Sequence, residues 1–286
     1  MPEGKEKYRF LIIRAFCVPN SKFYPQYKDL PKEKLFNNYH DFKQLLDDVE
    51  WDFHPGPPTT YGDWPVETRE EFAIVAAGRL PIVREACESG KYNAIVLIGG
   101  GEPGFIESVE IGRKYNIPVT SCAFSQMHMA SMLGNKFSVI DISELHNMFY
   151  YNLVVQHHFT DRCASIRNIN YSLPRPGCDL HPNITEDHHK AMRGEPAEAI
   201  ERAVEEAVAA IEEDGAEVIT FGCSALFWLK PFVEKRLHDL CWEVPVLEGH
   251  STAIGLAKLM VDMEVTASGL WLPGDRPKKW RRKKIF

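Results

Sequence analysis

The sequence predicts an α/β protein of two similar Rossmann-like lobes, each a mostly parallel sheet flanked by helices, with an active-site cleft between them. Three observations carry that expectation. Apolar strand-like runs alternate with helical patterns along the chain, the order that builds open parallel sheets covered on both faces. The two halves also echo one another. Asn93-Ala94-Ile95-Val96-Leu97-Ile98-Gly99-Gly100, followed by Ile117-Pro118-Val119, matches Ala216-Glu217-Val218-Ile219-Thr220-Phe221-Gly222-Cys223, followed by Val244-Pro245-Val246. Each half sets a glycine turn at the carboxyl end of a strand, where α/β sheets bind ligands.

Tyr8 to Phe16, with Leu11, Ile12 and Ile13 at its centre, reads as the first strand and ends in the turn Cys17 to Ser21. Residues 22 to 47 are polar and aromatic with poor periodicity, carrying one short helix around Phe42 to Leu46. Phe53 to Trp64 is rich in proline and glycine and is expected to be a loop. Asp63 is placed to cap a helix over Val66 to Glu88, kinked at Pro81. Ala94 to Ile98 is a buried strand, followed by the run Gly99 to Gly101 and a helix to Tyr115. A strand begins at Ile117 to Val119, a helix runs through Met127 and Leu133, and Phe137 to Ile140 is a further strand. Leu153 to Val155 and Ala164 to Ile166 read as strands or helix ends. Pro196 to Glu213 is the clearest helix, with Ala203, Val204, Ala207 and Ile211 on one face. The first lobe is expected to take residues 1–120 and 251–286, the last helix returning to it, and the second lobe residues 121–250.

The chain has 286 residues, 44% hydrophobic and 26% charged, enough to bury a large core. A formal charge of −7 gives no reason to expect nucleic acid. Seven cysteines without metal-ligand spacing fit a reduced cytoplasmic protein, and no run suggests a signal peptide or a membrane span. The basic tail, Arg276 to Lys284 around Trp280, reads as a solvated extension or an arm lying on an acidic neighbouring subunit, so a homo-oligomer is expected. Gly99 to Gly101 lacks both a Walker lysine and GxGxxG spacing, which argues against a nucleotide. The neighbouring pairs His157-His158 and His188-His189 point apart, and no metal is expected there.

Cys223 is the central candidate. It follows Gly222 at a strand end and precedes a helix pattern that Ser224 can cap, so backbone N–H groups there could favour a thiolate or hold a carboxylate or enolate oxygen. The alternative is a small packed cysteine. Cys122 ends the next strand of the first lobe and reads either as packed core or as a second proton carrier. His250 follows Glu248-Gly249 at the matching strand end of the second lobe. It could polarise Cys223, act as a base, bind a substrate oxygen, or simply pack. Glu102 reads as a base or as a cap on its own helix, capping being the preferred reading.

Four segments together resemble the aspartate/glutamate racemase superfamily, and within it the hydantoin and allantoin racemases. They are Pro19-Asn20-Ser21, Gly101-Glu102-Pro103-Gly104, Arg162-Cys163-Ala164-Ser165-Ile166-Arg167, and Gly215 to Ser224. The likeness runs from about Tyr8 to Asp262. It implies a cofactor-independent racemase or isomerase acting on a small acid, hydantoin or ureide through two cysteines on opposite faces of one carbon. The second cysteine carries over to Cys223. The first falls on Gly99 by the family pattern, or on Gly100 by the internal repeat, and glycine has no proton to exchange. Arylmalonate decarboxylases, of the same superfamily, also pair glycine with a single cysteine. A single-cysteine lyase, a hydrolase and a non-catalytic small-molecule binding protein are therefore the alternatives. Asn20, Gly99, Gly100, Glu102, Ser125 and Ser224 are the expected substrate-binding positions, beside Cys223, His250 and Cys122.

Overall fold

A computed structural model describes residues 7–18, 30–59, 62, 64–171, 173, 175, 177, 183–275 and 279. The first sheet contains β1 (Tyr8–Arg14), β2 (Val49–His54), β3 (Ala94–Ile98) and β4 (Val119–Ser121), in the spatial order β2, β1, β3, β4 and parallel throughout. The second contains β5 (Phe137–Asp141), β6 (Cys163–Asn168) and β7 (Val218–Phe221), in the order β6, β5, β7, also parallel. In each sheet the strand order reverses at one point, between β1 and β3 and between β5 and β7. Such reversals open a crevice beyond the carboxyl ends of the two strands.

Helices α1 (Tyr39–Phe42), α2 (Arg69–Glu88), α3 (Phe105–Lys114), α4 (Cys122–Leu133) and α5 (Glu144–Gln156) accompany the first five strands. Then come α6 (Ile184–Met192), α7 (Glu198–Glu212), α8 (Lys230–Asp239) and α9 (Gly249–Asp262). The largest hydrophobic cluster runs through both sheets, joining Phe10, Ile12 and Val96 to Ile140, Ile219 and Phe221. Each such side chain stabilises the fold by about 1.5–3 kcal/mol when fully buried. Ala253, Ile254 and Ala257 of α9 belong to the same cluster. The Thr120 hydroxyl of β4 donates to the Ala253 carbonyl at 2.9 Å, and Tyr8 of β1 donates to Asp262 at 2.7 Å.

Several local expectations change. The segment expected to be a loop from Phe53 instead begins inside β2, an edge strand that buries Val49 and Trp51 but exposes Glu50. One short apolar face leaves little pattern to read. Helix α2 starts at Arg69, where Thr68 and Glu71 form a capping box, while Asp63 lies outside the described residues. Pro81 lies inside α2, which continues to Glu88. Leu153 to Val155 are helical within α5. Val246 makes a single parallel bridge to Ile219 where the repeat suggested a strand. Cys223, not Ser224, is the capping position of the 3-10 turn Ser224–Leu229, and no side chain caps that turn.

Candidate active site

The carboxyl ends of the two reversal points face one another across a cavity of about 700 Å³. Arg14 at the end of β1, Gly99 to Gly101 after β3, Asp141 at the end of β5 and Gly222 to Ser224 after β7 all line it. The two glycine turns touch. A Cβ on Gly100 would collide with the Gly222 carbonyl oxygen and lie 3.0 Å from the Cys223 Cα. A Cβ on Gly99 would lie 2.7 Å from the Ala15 Cβ, and the Gly99 φ of +121° is a backbone conformation that side chains disfavour. The first-lobe turn is therefore bare because it is crowded. Phe72 of α2 stacks on Phe149 of α5 at 4.4 Å, so an aromatic pair from the two lobes forms one wall.

Cys223 is half-buried and is the one cysteine on the cavity wall among the described residues. Its backbone N–H donates to Asp141 Oδ1 at 3.0 Å, and the same oxygen accepts the Ile142 N–H at 2.7 Å. Gly222 lets this happen, since a Cβ there would lie 2.6 Å from Asp141 Oδ2. His146, in the first turn of α5, sets Nδ1 3.7 Å from Asp141 Oδ1, an ion-pair separation longer than a hydrogen bond. Asp141 Oδ1 thus stands against both His146 and the Cys223 backbone, and all three residues line the cavity. Burial opposes charge on His146, but Asp141 and Cys223 outweigh it and raise the pKa to about 11. His146 therefore carries a proton beside the sulfur at neutral pH.

Not every residue singled out in the sequence reaches the cavity. His250 does, at the second position of α9, where the Glu248 carboxylate accepts its N–H. Its Nδ1 lies 2.7 Å from Asn38 Oδ1, and the rings of Phe36, Phe42 and Phe227 surround it at 4.8–5.5 Å. Burial, helped by the Arg14 charge, lowers its pKa to about 3, so His250 is neutral. Gly99, Gly100 and Ser224 line the cavity. Cys122, Glu102 and Ser125 are buried away from it. Cys122 is wholly enclosed, its sulfur 3.9 Å from the Leu97 carbonyl, and burial pushes its thiol pKa far up. Glu102 caps a neighbouring helix instead of its own: its carboxylate accepts the Ser121 hydroxyl and the Phe124 N–H of α4, and pairs with His157 at 2.9 Å. Asn20 lies outside the described residues, as do Cys178 and most of the basic tail. Among the described residues no group of three or more His, Cys, Asp and Glu is arranged to hold a metal ion.

Residues 65–257 match the family model described as Asp/Glu/hydantoin racemase. The chain belongs to that racemase family. A hydantoin racemase of Pseudomonas sp. (strain NS671) is 26% identical over 205 residues, 72% of each chain. A second, from Paenarthrobacter aurescens, is 30% identical over 169 residues, 59% of this chain and 61% of that one. In three dimensions the chain is similar to allantoin racemase from Klebsiella pneumoniae, with a TM-score of 0.66, 20% identity and 97% of both chains covered. Within this racemase fold the second-lobe turn holds a sulfur and its counterpart holds none.

Four further residues shape the site. Asn37, from the segment that showed poor periodicity, donates from Nδ2 to the carbonyls of Ser224 at 3.0 Å and Ala225 at 3.3 Å, and so braces the turn after Cys223. Arg79 of α2 is wholly buried, and its guanidinium donates to the carbonyls of Ile13, Arg14, Ile98 and Pro103 at 2.9–3.4 Å. It ties the ends of β1 and β3 together beneath the bare turn. Asp141 and His146 are the other two. Asp141 carries a readable signal, a carboxylate directly after an apolar strand, the same kind of position as Cys223. Asn37, Arg79 and His146 carry none, because each acts on a partner remote in sequence.

Proposed function

We propose that this racemase-family chain moves a proton at a carbon next to a carbonyl, without a cofactor, using Cys223 as the proton carrier. The observation that carries the reading is the position of Cys223, at the point where both reversal crevices meet on the cavity wall. The substrate class is a small acid, hydantoin or ureide, supported by the hydantoin racemases among its relatives. Cys223 sulfur takes the proton, the C–H electron pair moves into the carbonyl as a planar enolate, and a returned proton completes the cycle. Acyl transfer is less well supported. The Cys223 N–H, which would help hold a tetrahedral oxyanion, already donates to Asp141.

The crowding at Gly99 and Gly100 favours a second reading, a lyase that loses carbon dioxide and protonates the carbanion from one face only. That turn carries no proton donor and has no room for one. Incubation of hydantoins, amino acids and substituted malonates in deuterium oxide, followed by NMR and polarimetry, separates the two. Deuterium at the α-carbon with loss of rotation establishes racemisation, and carbon dioxide release with one-face labelling establishes the lyase. A ring-opened product without deuterium at that carbon overturns both.

A further inference from the structure

Two of the residues that share the cavity wall with Cys223, Asp141 and His146, are absent from the motifs that mark the sulfur itself. Asp141 and Cys223 end neighbouring parallel strands, and one carboxylate oxygen fixes the Cys223 backbone from 82 positions away in sequence. The carboxylate lies flush on the Gly222 Cα, so the two strand ends cannot slide relative to one another. His146 sits in the first turn of α5, five residues beyond Asp141, and only 9% of its surface is exposed. Its Nδ1 lies 3.7 Å from the same Asp141 Oδ1 that accepts the Cys223 N–H, and His146, Asp141 and Cys223 share the cavity wall. Asp141 Oδ2 and His146 Nε2 are both buried without a hydrogen-bond partner. A buried carboxylate oxygen and ring nitrogen left open at a cavity wall are typical of a site completed during turnover.

We propose that His146, held by Asp141, is the proton store of Cys223: as imidazolium it keeps the thiol proton while the sulfur acts as base, and it gives one back after the sulfur has acted as acid. The inference rests on Cys223 being the proton carrier and applies to either reaction. In abstraction, the sulfur begins as thiolate beside the imidazolium that holds its proton. The thiolate accepts the substrate proton as the C–H electron pair moves into the carbonyl, and the resulting thiol gives that proton to water or back to carbon. In one-face protonation, the thiol gives its proton to the carbanion carbon, the imidazolium returns one to the sulfur, and the imidazole takes one from water. His146 acts through Cys223 and is a positioning residue in this scheme. The titratable groups that act on it are Asp141 at the end of β5, Cys223 after β7, and Glu67 ahead of α2. Glu67 is itself engaged by Arg175 at 3.5 Å, and the Tyr150 hydroxyl donates to the Phe221 carbonyl. Asp141 is thus the carboxylate that fixes the charge state of the ring.

Limited alkylation with iodoacetamide across pH 5–9, read as the labelled Cys223 peptide by mass mapping, tests this without any substrate. In His146→Gln, Cys223 labelling at pH 6 is expected to fall by at least about tenfold, with a steeper rise toward alkaline pH. Exposed Cys241 serves as the unchanged internal reference. Asp141→Asn keeps an acceptor for the Cys223 N–H while removing the charge, and is expected to fall between the two. The same variants should lower kcat with little change in KM. Superimposable Cys223 labelling profiles in wild type and either folded variant overturn the proposal. Loss of every proton-transfer activity in the wild type, with the labelling shift intact, would remove the reaction reading and leave the Cys223–His146 pair standing.

Discussion

The two glycine turns occupy matching places in the two lobes, yet they differ in what surrounds them. The second-lobe turn, Gly222 to Ser224, has a carboxylate at its back, an imidazole at its side and Asn37 bracing its carbonyls. The first-lobe turn, Gly99 to Gly101, is backed by Arg79, whose whole fork is spent on backbone oxygens, and is pressed against Ala15 and Gly222. One turn sets a cysteine side chain on the cavity wall. The other is built to let the opposing backbone approach. Near-symmetry of backbone therefore does not carry near-symmetry of chemistry, because the groups behind each turn differ.

The sharpest way to break that contrast is Cys223→Ser. If the sulfur turn alone carries the proton, turnover should fall by roughly 10³-fold or more, while circular dichroism and the thermal midpoint stay near wild type. Residual turnover within tenfold of wild type would mean that another group does the work. The reverse experiment, Gly100→Cys, places a sulfur on the bare turn. Because the new Cβ meets backbone atoms of Gly222, a loss of about 1–3 kcal/mol in urea unfolding is expected, without a gain in turnover. A stable and faster variant would show that the crowding is incidental.

The two wall histidines extend the comparison to pH. His250 has its folded pKa lowered from 6.5 to about 3, so its contribution to stability is present above pH 6.5 and is lost as pH falls toward 3. His146, raised to about 11, contributes fully below pH 6.5, and that contribution is lost as pH rises toward 11. Thermal midpoints measured from pH 4.5 to 10 should therefore fall less on the acid side in His250→Gln, and less on the alkaline side in His146→Gln. Parallel curves for all three proteins would contradict the opposite charge states. The smallest effect belongs to Asn37→Ala. Loss of its two carbonyl contacts should cost about 1 kcal/mol and slow turnover by roughly tenfold through looser placement of Cys223. Unchanged turnover would show that the turn after Cys223 holds itself.

Much of the fold was legible because parallel strands and amphipathic helices leave their periods in the residue order. Ala94 to Ile98 and Val218 to Phe221 are continuous apolar runs, and both are strands. The edge strands β2 and β6 were harder to read, since partial burial leaves a mixed pattern. In the site, Cys223 was legible from a local rule: glycine, then cysteine, at a strand end. Asn37 was not, since its meaning lies in contacts with carbonyls 187 and 188 residues away.

By itself the sequence determined that two strand-turn-helix repeats exist, that each has a glycine turn, and that one turn bears a sulfur while the other bears none. Only the tertiary structure showed which of Cys122, the first residue of α4 and not the strand end expected, and Cys223 reaches the cavity. Gly249 of α9 and Phe227 close over the first, where a Cβ on Gly249 would lie 2.5 Å from the Cys122 Cβ, and the sulfur is sealed from the cavity. The second is left on the wall beside Asp141 and His146. The physical reason is that a strand end places a side chain near the crevice, but the helix that packs across it determines whether solvent and substrate can reach it.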